Sequence, residues 1–239
     1  MIKQSGYLIM SLVVICSGCA TVATEPTPVS YKAKASLYQM DVSEPKSLFS
    51  SDSDILTDED IKRILAYHYI PQPQNRIGIL SIGRSYWFGW SDELARTGVE
   101  VQKKLVSKLK SSTLVFDASF LPSLLIPEKR TVGYFREAGA RYQADLLLIY
   151  QASCRTYEKY RFFSPDKAKS YCNVEAVLLD IRTGIVPFTV TTSRDFIAEK
   201  KEGDLNLNET VRRAELNAIS EALEEVGEVI VRFLGKLVQ

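Results

Sequence analysis

The segment Ala144-Asp145-Leu146-Leu147-Leu148-Ile149-Tyr150-Gln151-Ala152 decides the fold. It is largely apolar and reads as the strongest strand of the chain. Directly before it, residues 131–143 carry a helical pattern, with Val132, Phe135, Gly139 and Tyr142 turned inward. A helix feeding straight into a buried strand is the mark of a βαβ-type crossover.

Upstream, Arg76 to Arg84 reads as an opening strand with apolar residues on both faces, so it is central and covered. The aromatic loop Tyr86-Trp87-Phe88-Gly89-Trp90 follows. Ser91 then caps a helix reaching Lys110, with Asp92 and Glu93 in its first turn. Its buried stripe is Leu94, Gly98, Val101, Leu105 and Leu109. Residues 113–116 suggest a short strand, and the Pro-bounded stretch 120–127 a turn or 3₁₀ piece.

Downstream, residues 171–181 and 185–197 read as two strands joined by Arg182-Thr183-Gly184, where Gly184 suits a turn with positive φ. Pro187 sends part of the second strand along a sheet edge. A polar loop at 200–204 leads to a helix capped by Asn208 and reaching Leu237. Its stripe is Val211, Ala218, Ala222, Val226, Val229, Phe233 and Leu237, widened by Ile219, Leu223, Ile230 and Leu234. The expected class is α/β (α+β): one mixed sheet covered by helices, with a C-terminal hairpin and a long C-terminal amphipathic helix.

Residues 51–70 contain a further helix, with Thr57 and Asp60 near a capping box and Ile61, Ile64, Leu65 and His68 sharing a face. Residues 19–50 hold Pro26, Pro28 and Pro45 and no sustained apolar period, so they read as a tether, with an ordered strap at 35–40 as a variant. The domain then covers residues 51–239.

The first residues are Met1-Ile2-Lys3, an apolar run from Tyr7 to Cys16, and Ser17-Gly18-Cys19-Ala20. This pattern resembles the lipobox of bacterial lipoprotein signal peptides. The resemblance implies cleavage after residue 18, lipidation of Cys19 and anchoring in a membrane through that residue. In a Gram-negative cell, Ala20 in place of Asp implies the outer membrane, periplasmic face. The alternatives are an ordinary signal cut after Ala20 or Ala23, and an uncleaved anchor, for which the apolar run is short.

Removing residues 1–18 takes away Lys3 and no acid, leaving 29 of the 30 basic residues against 29 acidic ones. That balance gives no support for nucleic-acid binding or a polybasic membrane patch. An exported chain meets an oxidising compartment, where Cys154 and Cys172 are expected to bridge; two buried free thiols are the alternative. Two cysteines and the single His68 make no structural metal site, and no cofactor motif is present.

Three phrases carry a wider resemblance: Ile77-Gly78-Ile79-Leu80, then Ala140 through Leu147 entering the central strand, then Leu179-Asp180-Ile181-Arg182-Thr183-Gly184. Their order behind a lipobox resembles the periplasmic α/β domain of the curli secretion channel lipoprotein. Penicillin-binding-protein activator lipoproteins and the TolB N-terminal domain share that domain. The resemblance implies a non-catalytic envelope domain over roughly residues 75–235. The curli channel adds two membrane hairpins, and this chain has no second long alternating insertion.

Two aromatic groups are candidate partner-binding surfaces. One is Tyr86, Trp87, Phe88 and Trp90, at the carboxyl edge of the sheet, where α/β folds bind ligands. The other is Tyr157, Tyr160, Phe162 and Phe163, with Tyr171 and the cations Arg155, Lys159, Arg161, Lys167 and Lys169. A Cys154–Cys172 bridge would staple its base into a stiff finger. For each group, packing of the rings on the domain is the alternative. No catalytic set is evident, as His68 has no flanking motif.

The leading expectation is a lipid-anchored, non-catalytic protein that binds an envelope protein to assemble, activate or scaffold a cell-envelope machine. A self-assembling subunit of an outer-membrane export apparatus is a second reading, with oligomeric state left open. A cell-wall hydrolase using carboxylates such as Asp180 and Asp195 is a third.

Overall fold

A computed structural model describes residues 56–83 and 91–237. The signal-like segment 1–18, Cys19, the 19–50 tether with its 35–40 strap, and Tyr86, Trp87, Phe88 and Trp90 lie outside the described residues.

The elements run α1 (Asp58–Ala66), β1 (Asn75–Ile82), α2 (Asp92–Leu109), β2 (Val115–Phe120), a 3₁₀ turn (Ser123–Leu125), α3 (Val132–Arg141), β3 (Leu146–Lys159), β4 (Lys167–Asp180), β5 (Phe188–Glu199) and α4 (Leu207–Lys236). One five-stranded sheet has the order β2-β1-β3-β4-β5. β1 pairs in parallel with β2 and β3, while β3–β4 and β4–β5 are antiparallel. The sheet is therefore mixed, as its sequence pattern indicates.

Side-chain alternation sorts the strands between two cores. On one face, Ile77 and Ile79 of β1 and Leu146, Leu148 and Tyr150 of β3 pack with α2 and α4. On the other, Leu80, Ile82, Leu147, Ile149 and Leu179 pack with Phe135 of α3. α2 buries all five positions of its expected stripe, and Ser91 accepts a bond from the Leu94 N–H as N-cap. α4 meets α2 at Gly227, where a Cβ would lie 2.8 Å from Lys108 Cγ. This close approach accounts for a glycine in mid-helix, which costs about 1 kcal/mol relative to Ala.

Several expectations need adjusting. α4 starts earlier: its N-cap is Asn206, whose side chain accepts from the Asn208 N–H. Pro187 precedes β5 instead of lying in it, although β5 is an edge strand as expected. The helix expected within 51–70 is α1, with the Thr57–Asp60 capping box complete. α1 buries none of its residues, and Ile61, Ile64, Leu65 and His68 are exposed. β3 and β4 are longer than read, extending seven and four residues further toward their connection, to Lys159 and from Lys167.

Candidate functional site: a stapled aromatic finger

α3 covers the sheet only as far as Ile149, after which β3 alternates between covered and open positions. The remainder of β3 and β4 forms a hairpin arm carrying the second aromatic group. Cys154 lies directly opposite Cys172, and the two are joined by a disulfide with Cα atoms 4.1 Å apart. Beyond it the strands stay paired to Lys159 and Lys167, about 17 Å further at the usual rise per residue.

The connection at 160–166 holds Phe162 and Phe163, which are 95% and 96% exposed. Their rings meet edge to face at 5.2 Å. The packed-ring alternative does not hold for these two. The tip is nonetheless shaped: Asp166 accepts from the Arg161 backbone N–H at 2.8 Å, and Arg161 donates to Ser164 Oγ at 3.2 Å. Tyr160 donates to Glu158 at 2.7 Å, a bond that raises the phenol above its ordinary pKa.

Lower on the finger, Tyr157 and Tyr171 meet edge to face at 5.9 Å, and Lys169 sits 4.6 Å above the Tyr171 ring. Hydrogen bonds to Tyr171 and Asp195 raise the Lys169 ammonium above its ordinary pKa. Lys169 pairs with Asp195 at 2.9 Å, and Lys167 with Glu199. These two cations are tied to β5, while Arg155 and Lys159 are exposed. Ile197 lies opposite Lys169 in the β4–β5 register and is also exposed. The sequence reading missed β5's share in this surface. The signal available was the alternation of Thr189, Thr191, Ser193, Asp195 and Ile197.

Asp180 and Asp195 do not form a carboxylate pair. Asp195 stands opposite Tyr171, nine positions along β4 from Asp180, or about 30 Å. Glycoside hydrolysis needs carboxyl groups within about 10 Å. Asp180 is buried and accepts from the Thr183 N–H and hydroxyl, so it shapes the β4–β5 turn. Gly184 in that turn has φ +77°. Arg182 pairs with Asp145 and Arg194 with Glu225, so neither arginine pairs with Asp180 or Asp195. Among the described residues no cluster of His, Cys, Asp and Glu could hold a metal, and no helix is long and apolar enough to cross a membrane.

The fold and finger define an α/β domain with a disulfide-stapled hairpin arm. No protein-family model matches the chain, and no curated protein matches it. Solved structures do align with it. A protein described as a lipoprotein from Caulobacter crescentus shares 10% identity over 67% of this chain and 90% of its own, with a TM-score of 0.35. One described as a homologue of the neuraminyllactose-binding hemagglutinin, from Helicobacter pylori, shares 13% over 70% and 92%, at 0.38. The PelC dodecamer from Paraburkholderia phytofirmans shares 13% over 64% and 89%, at 0.31. At these scores the likenesses assign neither a family nor an activity.

Proposed function

We propose that this chain is a lipid-anchored, non-catalytic envelope protein whose finger docks on an envelope protein, serving assembly, activation or scaffolding of a cell-envelope machine. The observation that carries the reading is the Phe162–Phe163 pair, held in water at the end of a disulfide-stapled hairpin. Burying a phenylalanine on a partner releases roughly 2 kcal/mol. A stiff arm lowers the ordering cost of doing so. The anchor at Cys19 and the outer-membrane, periplasmic location rest on the lipobox-like start of the sequence. The aromatic loop Tyr86, Trp87, Phe88 and Trp90 is a second contact in this reading.

A photocrosslinking amino acid placed at Phe163 in intact cells tests it. A discrete adduct with one envelope protein supports the reading. Only monomer bands, or adducts no different from those formed from an exposed position on α2, remove the finger as the contact. Palmitate labelling that disappears in Cys19→Ser tests the anchor separately.

A further inference from the structure

β5 closes the sheet on one side, and among the described residues no strand pairs with its outer edge. Its register with β4 runs unbroken from Lys167↔Glu199 to Leu178↔Phe188, with no bulge and no proline. The Lys200 N–H bonds to the Asp166 carbonyl at 2.7 Å, continuing that register. Backbone groups alternate in an antiparallel ladder. The even-numbered residues of β5 therefore bond to β4, while Thr189, Thr191, Ser193, Asp195 and Ile197 direct their N–H and C=O outward. An edge of 12 residues is about twice the usual strand length. Proteins commonly blunt such edges with charges, prolines or bulges. Here the three charged residues of β5 are each drawn into an ion pair: Arg194 with Glu225, Asp195 with Lys169, and Glu199 with Lys167.

Beside this edge lies a cavity of ≈310 Å³, lined by Arg194 of β5 and, from α4, Glu221, Glu224, Glu225, Glu228, Val229 and Arg232. Four carboxylates face two guanidiniums. Glu225 is engaged by Arg194 and Glu228 by Lys108, whereas Glu221 is exposed and neither it nor Glu224 has an ion pair among the described residues. A strand added about 4.8 Å outside β5 would place alternate side chains on the α4 side, next to Arg194. Cations there would meet the acidic lining. A second copy paired edge to edge around a two-fold axis would instead bring two acidic grooves together.

We propose that the outer edge of β5 is a strand-addition site for an extended basic segment of a partner protein. The segment's backbone continues the sheet, and its cationic side chains enter the α4 groove. Main-chain bonds supply affinity and the groove supplies selection. The site is separate from the finger tip and stands whether or not the tip docks as proposed.

The test is fluorescence polarisation of the full chain with a labelled ten-residue peptide of alternating lysine and valine. A glutamate-for-lysine peptide and a backbone N-methylated peptide serve as controls. Ser193→Pro removes an outward N–H and keeps the backbone bonds to β4, losing only the Ser193 hydroxyl's bond to Asn173, and Glu221→Lys/Glu224→Lys reverses the groove charge. The lysine peptide is expected to bind the parent chain and Phe163→Ser alike. Each of the other two variants weakens binding by about tenfold or more, equivalent to about 1.4 kcal/mol. Neither control peptide binds. The proposal is overturned if the lysine peptide does not bind, or if the glutamate or N-methylated peptide binds equally well. Unchanged binding to Ser193→Pro also overturns it, as does a dimer of the parent chain that this variant dissociates. If Ser193→Pro fails to fold, the charge-reversed variant and the N-methylated peptide decide the question.

Discussion

Cys154 and Cys172 face each other across β3 and β4 and are covalently joined, five residue pairs short of the end of the ladder. Closing a loop of this size, with 18 residues of separation, stabilises a fold by about 3 kcal/mol in the chain-entropy account. Reduction, or Cys154→Ser with Cys172→Ser, is expected to lower Tm by roughly 6–12 °C in thermal denaturation. Because the bridge sits at the base of the arm, amide exchange should quicken first in 155–171. Unchanged exchange there would show that the strand pairing alone holds the finger.

The Phe162–Phe163 pair stabilises nothing in the domain. Phe162→Ser and Phe163→Ser are each expected to change folding stability by less than about 0.5 kcal/mol, as surface substitutions do. Urea titration checks this. The same variants should lose the crosslinked adduct, and a large drop in stability would instead place the rings in the fold.

A polar cluster locks the start of α4. Asp204 accepts from Arg213, from the Lys201 N–H at 2.9 Å and from the Thr210 hydroxyl at 2.9 Å. Arg213 also lies 3.3 Å from Glu93 at the start of α2. Burial pushes the Asp204 carboxyl up, but the bonds from Arg213, Lys201 and Thr210 outweigh it and hold the pKa below its ordinary value. The Lys201 ammonium likewise holds Glu93 low. Both groups bind protons more weakly folded than unfolded. Their contribution is full above the ordinary carboxylate range and is lost as pH falls through the folded values. Stability should therefore drop below about pH 4. Asp204→Ala leaves the buried Arg213 guanidinium with only Glu93 and the Glu199 carbonyl as partners, and should cost about 3 kcal/mol at neutral pH, with a shallower acid slope. A slope identical to that of the parent chain would assign acid sensitivity elsewhere.

Gly227 reports on the α2–α4 contact. In an open helix, Gly→Ala gains about 1 kcal/mol. Here the new methyl would fall 3.1 Å from Lys108 Cβ and 3.4 Å from Leu105 Cδ1. Gly227→Ala should give no gain, and Gly227→Val should lose about 2 kcal/mol through overpacking. Denaturant midpoints of the two variants distinguish this from a glycine kept for flexibility.

Elements with a continuous covered face were legible in the chain. α2 shows its five buried positions at spacings of four and three, because one stripe meets one core. β1 and the first half of β3 are apolar on both faces because helices cover both. The outer half of β3 was not legible. From Gln151 on it loses cover on the α3 side, its pattern becomes mixed, and it stays a strand because β4 pairs with it. α1 shows the opposite failure: its apolar period is real, but none of its residues is buried.

Sequence alone determined the mixed α/β architecture, the helix-capping residues Thr57 and Ser91, and the residue types gathered between Cys154 and Cys172. These follow from local periodicity and hydrogen-bonding chemistry, which are written in neighbouring residues. Tertiary structure decided that Phe162 and Phe163 stand in water, that Asp180 and Asp195 lie far apart, and that β5 runs beside the acidic side of α4. Those outcomes depend on strand register and on which helix covers which face, and contacts between residues distant in the chain set both.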